Sequence, residues 1–146
     1  MPADQPTQSQ QPPVPTGVIA YLIVRDGAAA IDFYARAFGA VEQFRHLADD
    51  GKRLLHARLG INGGILMLSD DFPEYNGGIS NAPDPARPRG IVLHQYVADC
   101  DATVAQATAA GAEIIMPPAD MFWGDRYAQI RDPLGHVWSI AHPLAK

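Results

Sequence analysis

The side chains best suited to chemistry in this chain are few and widely spaced. There are five histidines (His46, His56, His94, His136 and His142), one cysteine, Cys100, and three glutamates, Glu42, Glu74 and Glu113. An imidazole titrates near neutral pH and serves as acid, base or metal ligand. His94, alone in a strand-like run, is the candidate catalytic residue, with a hydrogen-bonded structural role as the other reading. His46, His56 and His94 could share a metal only in a non-standard arrangement. His136 follows a turn glycine and His142 ends the last strand, so both are expected in solvent. Cys100 opens a predicted helix, where a thiol pKa can fall. No histidine stands at a spacing that supports a cysteine nucleophile, so Cys100 is read as small core filler. The run from Trp123 through Arg126 to Tyr127 sets two aromatic rings around a guanidinium. Such a rim could stack a flat ligand and pair with its anionic group. A loop pinned by its tryptophan, with Arg126 paired to Asp125 or Asp120, is the alternative.

Composition limits what these residues can serve. A chain of 146 residues makes one compact domain or two small modules. Its 47% apolar and 18% charged content excludes disorder along the whole length. The net charge is −5, with 11 basic against 16 acidic residues and no basic cluster, so nucleic acid is not an expected partner. No run of about 18 apolar residues offers a membrane span. With one cysteine there is neither an intrachain disulfide nor a Cys-based zinc site. The absence of a signal-like start makes the cytoplasm the expected compartment. No Gly-rich phosphate loop is present, which weakens nucleotide binding.

The elements that must hold these side chains come in two similar sets. Residues 1–16, rich in Pro and Gln, bury too little to order themselves and are expected to be a disordered tail. Residues 72–89 contain Pro73, Pro83, Pro85 and Pro88 and read as a linker. The first module, about 17–71, opens with a strand at Val18–Val24. Asp26 then caps a helix with apolar Ile31, Tyr34, Ala35 and Phe38 on one face, and Gly39 ends it. Strands follow near 41–48, 53–59 and 65–69. The second module, about 90–142, repeats this order. It has a strand at Ile91–Val97, an Asp99-capped helix ending at Gly111, and strands near 113–116, 127–131 and 137–141. Asp26 and Asp99 lie 73 positions apart, Gly64 and Gly135 71 apart. A near-constant offset argues for a duplicated βαβββ unit, hence an α+β fold and not a doubly wound one.

Tyr21 to Asp26 (YLIVRD), followed by Ala30 to Gly39 (AIDFYARAFG), resembles the opening of vicinal oxygen chelate proteins, the glyoxalase, bleomycin-resistance and extradiol-dioxygenase relatives. Phe122 to Ser139 is similar to the PhnB-like branch. The resemblance covers about residues 17–142. It implies two tandem modules forming a curved, partly closed mixed sheet around a cleft, often completed across a dimer. It also implies a divalent metal held by His or Glu from the first and last strands of each module. Transferred to this sequence, those four places fall on Ile19, Met67, Val92 and Ser139. Ile and Val have no donor atoms, a thioether suits hard ions poorly, and a serine hydroxyl is a weak ligand. The expectation is therefore no cofactor, with a divalent metal possible only through non-standard ligands.

Strand alternation then gives an expected lining. If Ile19 faces the cleft, so do Tyr21 and Ile23, while Leu22 and Val24 pack under the helix. Val92 brings His94 and Tyr96 to the same face. The expected substrate-binding residues are Tyr21, His56, Met67, His94, Tyr96, Trp123, Arg126, Tyr127 and Ser139. Apolar and aromatic walls with a few polar groups describe a small-molecule pocket, although packing between curved sheets is also open. The expected function is to bind a small, partly apolar or aromatic molecule as a homodimer. A metal-dependent lyase, isomerase or dioxygenase with unusual ligands is the alternative.

Overall fold

In the computed structural model, which describes residues 12–84, 86–87 and 90–145, the chain builds the βαβββ unit twice. The first unit is β1 (Ala20–Val24), α1 (Gly27–Phe38), β2 (Val41–Leu47), β3 (Leu54–Ile61) and β4 (Gly64–Asp70). After a short 3-10 turn at Pro73–Tyr75 come β5 (Leu93–Tyr96), α2 (Cys100–Ala109), β6 (Glu113–Asp120), β7 (Asp125–Arg131) and β8 (Val137–Pro143). Both helices start for one reason. The Asp26 carboxylate accepts the Ala29 N–H at 3.0 Å, and Asp99 accepts that of Ala102 at 3.1 Å. Each satisfies a first-turn donor that has no partner within the helix. α1 stops at Gly39, whose φ of 68° suits glycine.

Each module forms its own four-stranded mixed sheet, ordered β1-β4-β3-β2 and β5-β8-β7-β6. The first and last strands of a module run parallel, a pairing that a helical crossover permits. β6 extends beyond its expected end at Met116, through Pro117 and Pro118 to Asp120. Prolines are accommodated there because β6 is an outer strand whose ladder to β7 slips between Met116 and Ala119. β7 likewise begins two residues earlier than its sequence pattern suggests, at Asp125.

One core joins the modules. Leu22, Val24, Leu66 and Leu68 meet α1, and Ile130, Trp138 and Ile140 belong to the same buried cluster. Tyr34 and Phe38 of α1 lie against the Trp138 ring of β8, at centroid distances of 5.4 and 4.9 Å. Beneath them Asp132, only 2% exposed, accepts the Tyr34 hydroxyl at 2.5 Å and the Trp138 indole N–H at 2.9 Å. It also accepts the backbone N–H groups of Leu134 and His136. A buried carboxylate is tolerable when its lone pairs are occupied in this way. Burial, with the Asp132 charge beside it, holds the Tyr34 hydroxyl well above the usual tyrosine range, so it remains a donor.

Two histidines differ from expectation. His136 is half-buried and its Nε2 donates to the Ile23 carbonyl at 2.9 Å, because the turn that carries it docks on β1. His142 is also half-buried, and its Nδ1 accepts the Cys100 N–H at 2.7 Å, capping α2 from the neighbouring strand. Cys100 itself is buried with its thiol on the Ile140 carbonyl. Burial, aided by the Asp101 charge, pushes that thiol up to about 11. Desolvation here outweighs the helix N-terminus, and core filler describes the residue. Of the expected tail, residues 1–11 lie outside the described residues. Residues 12–16 are irregular, and the Pro13 carbonyl accepts from Arg58 Nη1 at 2.6 Å.

Candidate functional site

The face of the second sheet turned away from α2 gathers most of the chemistry-bearing residues. Pairing of β5 with β8 sets His94 beside Ser139 and Tyr96 beside Ala141. Pairing of β7 with β8 sets Gln129 beside Ser139 and Tyr127 beside Ala141. Alternation puts Asp125, Tyr127 and Gln129 on one side of β7 and the buried Ala128 and Ile130 on the other. At the centre, Asp125 is 9% exposed. One of its oxygens accepts both the Tyr96 hydroxyl, at 3.1 Å, and the Trp123 indole N–H, at 3.2 Å. That hydrogen bond to Asp125, followed by the carboxylate's charge, raises the Tyr96 hydroxyl pKa.

The rings stand as walls. Trp123 and Tyr127 are 5.5 Å apart at 78°, and His94 and Tyr96 are 4.8 Å apart at 86°. His94 lies nearly parallel to Tyr127 at 6.3 Å. His94 Nδ1 is 2.6 Å from the Ser139 hydroxyl, and the Gln129 amide donates to the Tyr127 hydroxyl at 2.9 Å. Hydrogen bonds therefore fix the ring orientations, yet Tyr96 and Trp123 remain 55% and 51% exposed. Preset, exposed aromatic surface around a fixed polar group can hold a ligand with little further ordering.

The corresponding face of the first sheet has a different character. The Tyr21 hydroxyl lies 2.9 Å from His56 Nδ1, and Met67 sits between Tyr21 and Arg58 in the ladder. His46 is the register partner of His56, and Phe44 lies 6.0 Å from the His56 ring. Burial raises the Tyr21 hydroxyl pKa. Burial, with help from the charges of His46 and Arg58, lowers that of His56.

The structure thus divides the expected lining in two. His94, Tyr96, Trp123, Tyr127 and Ser139 form one cluster, and Tyr21, His56 and Met67 belong to the other sheet. Arg126 joins neither. Its guanidinium pairs with Asp101 of α2 at 2.9 Å and with Asp120 at 3.1 Å, on the opposite side of β7 from Tyr127. Asp125, Gln129 and Arg58 were missed by sequence reasoning. A strand drawn from Tyr127 excludes Asp125, although period-two alternation extended back by two residues would have placed it beside Tyr127.

The four places that the metal-binding pattern requires do not fit a divalent cation. Ile19 and Val92 offer no donor, Met67 offers a thioether, and the Ser139 hydroxyl is engaged with His94. Among the described residues, no three His, Cys, Asp or Glu side chains come together as a metal-holding group. His94 accordingly does not join His46 and His56.

Grooves run where the modules meet. One of about 440 Å³ is bounded by Ala20 and Ile65 of the first module and by His94, Gln95 and Tyr96 of the second. The Asn62 amide bridges there to the Tyr96 carbonyl at 2.6 Å and to Gln95 at 3.3 Å, which accounts for a glutamine on that strand. A larger groove of about 580 Å³ lies between β1 and residues 79–84, 87 and 90–91, with Arg25, Ser80 and His136 in its walls. Of these two, the smaller groove is the one that reaches the aromatic cluster, through His94 and Tyr96. No helix among the described residues is long and apolar enough to cross a membrane.

Comparison with known proteins matches residues 17–140 to the family described as the Glyoxalase/Bleomycin resistance protein/Dioxygenase superfamily. A protein of Mycobacterium bovis, itself described as uncharacterized, is 45% identical over 124 residues, covering 85% of this chain and 81% of that one. The crystal structure of TioX from Micromonospora sp. ML1 shares 29% identity with a TM-score of 0.64, covering 89% of this chain and all of that one. A gene product of Arabidopsis thaliana shares 27% identity with a TM-score of 0.67, covering 88% and 99%.

Proposed function

Because the chain belongs to the Glyoxalase/Bleomycin resistance protein/Dioxygenase superfamily, we propose that it binds a small, partly apolar or aromatic molecule on the His94, Tyr96, Trp123 and Tyr127 face, without the usual metal site. The observation that carries this reading is the tethering of Tyr96 and Trp123 to one buried carboxylate while half of each ring stays exposed. A purely structural pair of aromatics would bury those faces, since exposing them forfeits the apolar gain. The finer placement in the PhnB-like branch rests on the run from Phe122 to Ser139, and the compartment fitting a lone cysteine is the cytoplasm.

A homodimer is part of the same reading. Ile114, Ile115 and Met116 of β6 and Val41 of β2 leave 43%, 41%, 38% and 64% of their surface exposed. Apolar surface on outer strands invites a second copy. Light scattering at micromolar concentration should give twice the 15.7 kDa chain mass; a monomer mass would remove this element.

The binding test uses 2-naphthol, a neutral planar probe, and tryptophan fluorescence. Trp138 is 4% exposed and serves as an internal reference. Quenching should saturate and should vanish in Trp123→Phe; quenching unchanged by that substitution would reject the site. The 2.6 Å contact between His94 and Ser139 favours one second reading, an enzyme using the imidazole as acid or base. His94→Ala separates the two. Binding alone keeps most of its affinity, whereas proton transfer through the imidazole would lose about 10²–10⁴ in rate.

A further inference from the structure

We infer that the group recognised by this face is an organic cation of the quaternary or N-methylated ammonium type, seated among Trp123, Tyr96 and Tyr127 above Asp125. The inference rests on the small-molecule reading above and names the ligand's chemistry.

Three features converge on a positive charge. Aromatic faces carry the negative lobe of the ring quadrupole, and several rings set at steep angles around one point concentrate it. Trp123 stands at 78° to Tyr127. Tyr96 stands at 86° to His94, which itself lies within 20° of Tyr127. Trp123 and Tyr96 therefore each stand steeply to the Tyr127 plane, so the rings do not form a single flat stack. Beneath them sits a carboxylate. The Tyr96 and Trp123 donors are neutral and share one Asp125 oxygen, so they orient the charge without cancelling it. Among the described residues no donor reaches the other oxygen.

Among the described residues no side-chain cation competes for this place. Arg126 is turned to the opposite side of β7, on Asp101 and Asp120. Arg131 shares the face but stands six residues further along β7 and is paired with Glu113 at 3.3 Å. A primary ammonium would demand three acceptors, which this face does not supply. A methylated ammonium has no such demand and spreads its charge over apolar methyl groups that pack on rings.

The test compares phenyltrimethylammonium with its neutral isostere tert-butylbenzene, titrated against the full chain by calorimetry. The cation should bind more tightly by about tenfold. Asp125→Asn retains an acceptor for Tyr96 and Trp123 while removing the charge. It should erase that preference, with an unchanged circular dichroism reporting that the fold is kept. Trp123→Phe should weaken the cation more than the neutral compound. Equal affinities for the two compounds in the unmodified chain, or a preference that survives Asp125→Asn, would overturn the inference. If tert-butylbenzene binds through Trp123 and the cation binds no better, the small-molecule reading stands and the cation alone falls. If neither compound binds, both fall.

Discussion

The two modules share one backbone plan and carry unlike chemistry on equivalent faces. In the first, a row across the sheet reads Tyr21, Met67, Arg58 and Phe44. In the second, the row at the same place relative to the helix cap reads His94, Ser139, Gln129 and Met116. One row further on, Ile23 is replaced by Tyr96 and the strand residue His56 by Tyr127. The first face is rich in imidazole and guanidinium groups, and Arg58 holds the Pro13 carbonyl across it. The second is aromatic and centred on an acid. Asp125 has its counterpart in Leu54, which is fully buried against α1. Duplication thus fixed where side chains stand, while single replacements such as leucine against aspartate set the chemistry of the two faces apart.

The largest effect expected from this contrast concerns one buried aspartate in each module, Asp70 at the end of β4 and Asp132 just after β7. Asp70 accepts two backbone groups inside its own module, Gly27 N–H at 2.8 Å and Leu54 N–H at 2.6 Å. Asp132 accepts two backbone groups and, in addition, the Tyr34 and Trp138 side chains that join the modules. Each stranded donor costs about 1–3 kcal/mol, less where water can enter. Asp132→Ala should therefore cost roughly 3–5 kcal/mol and Asp70→Ala roughly 2–3 kcal/mol. Urea midpoints at unchanged slope provide the comparison. Equal losses would mean that the seam between modules depends no more on its carboxylate than one module does.

A smaller effect sharpens the contrast between faces. Tyr96→Ala should weaken 2-naphthol by about 1–3 kcal/mol, the loss of much of an aromatic contact. Tyr21→Ala should cost under about 1 kcal/mol, because its hydroxyl is spent on His56. Calorimetric titration of both variants decides. Equal losses would show that the two faces, supplied by two copies, enclose one ligand together.

Much of this organisation was legible in the sequence. Asp26, Gly39 and Asp99 marked helix ends because capping is local chemistry, and the offset between modules exposed the repeat. Alternation placed Tyr21 opposite Leu22, and His94 with Tyr96. What escaped was set by distant partners. Arg126 lies on the far side of β7 because Asp101 of α2 joins Asp120 of β6 there; the Asp120 pairing was open to the sequence, and that with Asp101, 25 residues away on a helix, was not. β6 continues through two prolines only because it is an outer strand, a fact of sheet order. His136 leaves solvent because β1 offers the Ile23 carbonyl, 113 residues away in sequence. The placing of residues 79–84 beside β1, which walls the larger groove, has no local signal at all.

The smallest expected effect belongs to the first face and depends on pH. Burial chiefly, then His46 and Arg58, hold the His56 pKa below the ordinary histidine value of 6.5. The unfolded chain therefore takes up a proton at a pH where the folded chain still declines it. The resulting contribution to stability is complete above pH 6.5 and is lost as pH falls through the lower folded value. Protonation also has a local cost. A charged ring can only donate at Nδ1, so the Tyr21 hydroxyl must direct its own proton to the Leu55 carbonyl, 3.4 Å away. Urea midpoints measured from pH 7 down to pH 5 should decline in the unmodified chain. His56→Gln, which keeps an acceptor for Tyr21 and does not titrate, should decline less over the same interval. The difference between the two curves should shrink further in His46→Gln, since part of the neighbouring positive charge is then gone. If His56→Gln declines as steeply as the unmodified chain, acid sensitivity lies elsewhere in the molecule, and the imidazole pair is no more than a neutral part of the first sheet.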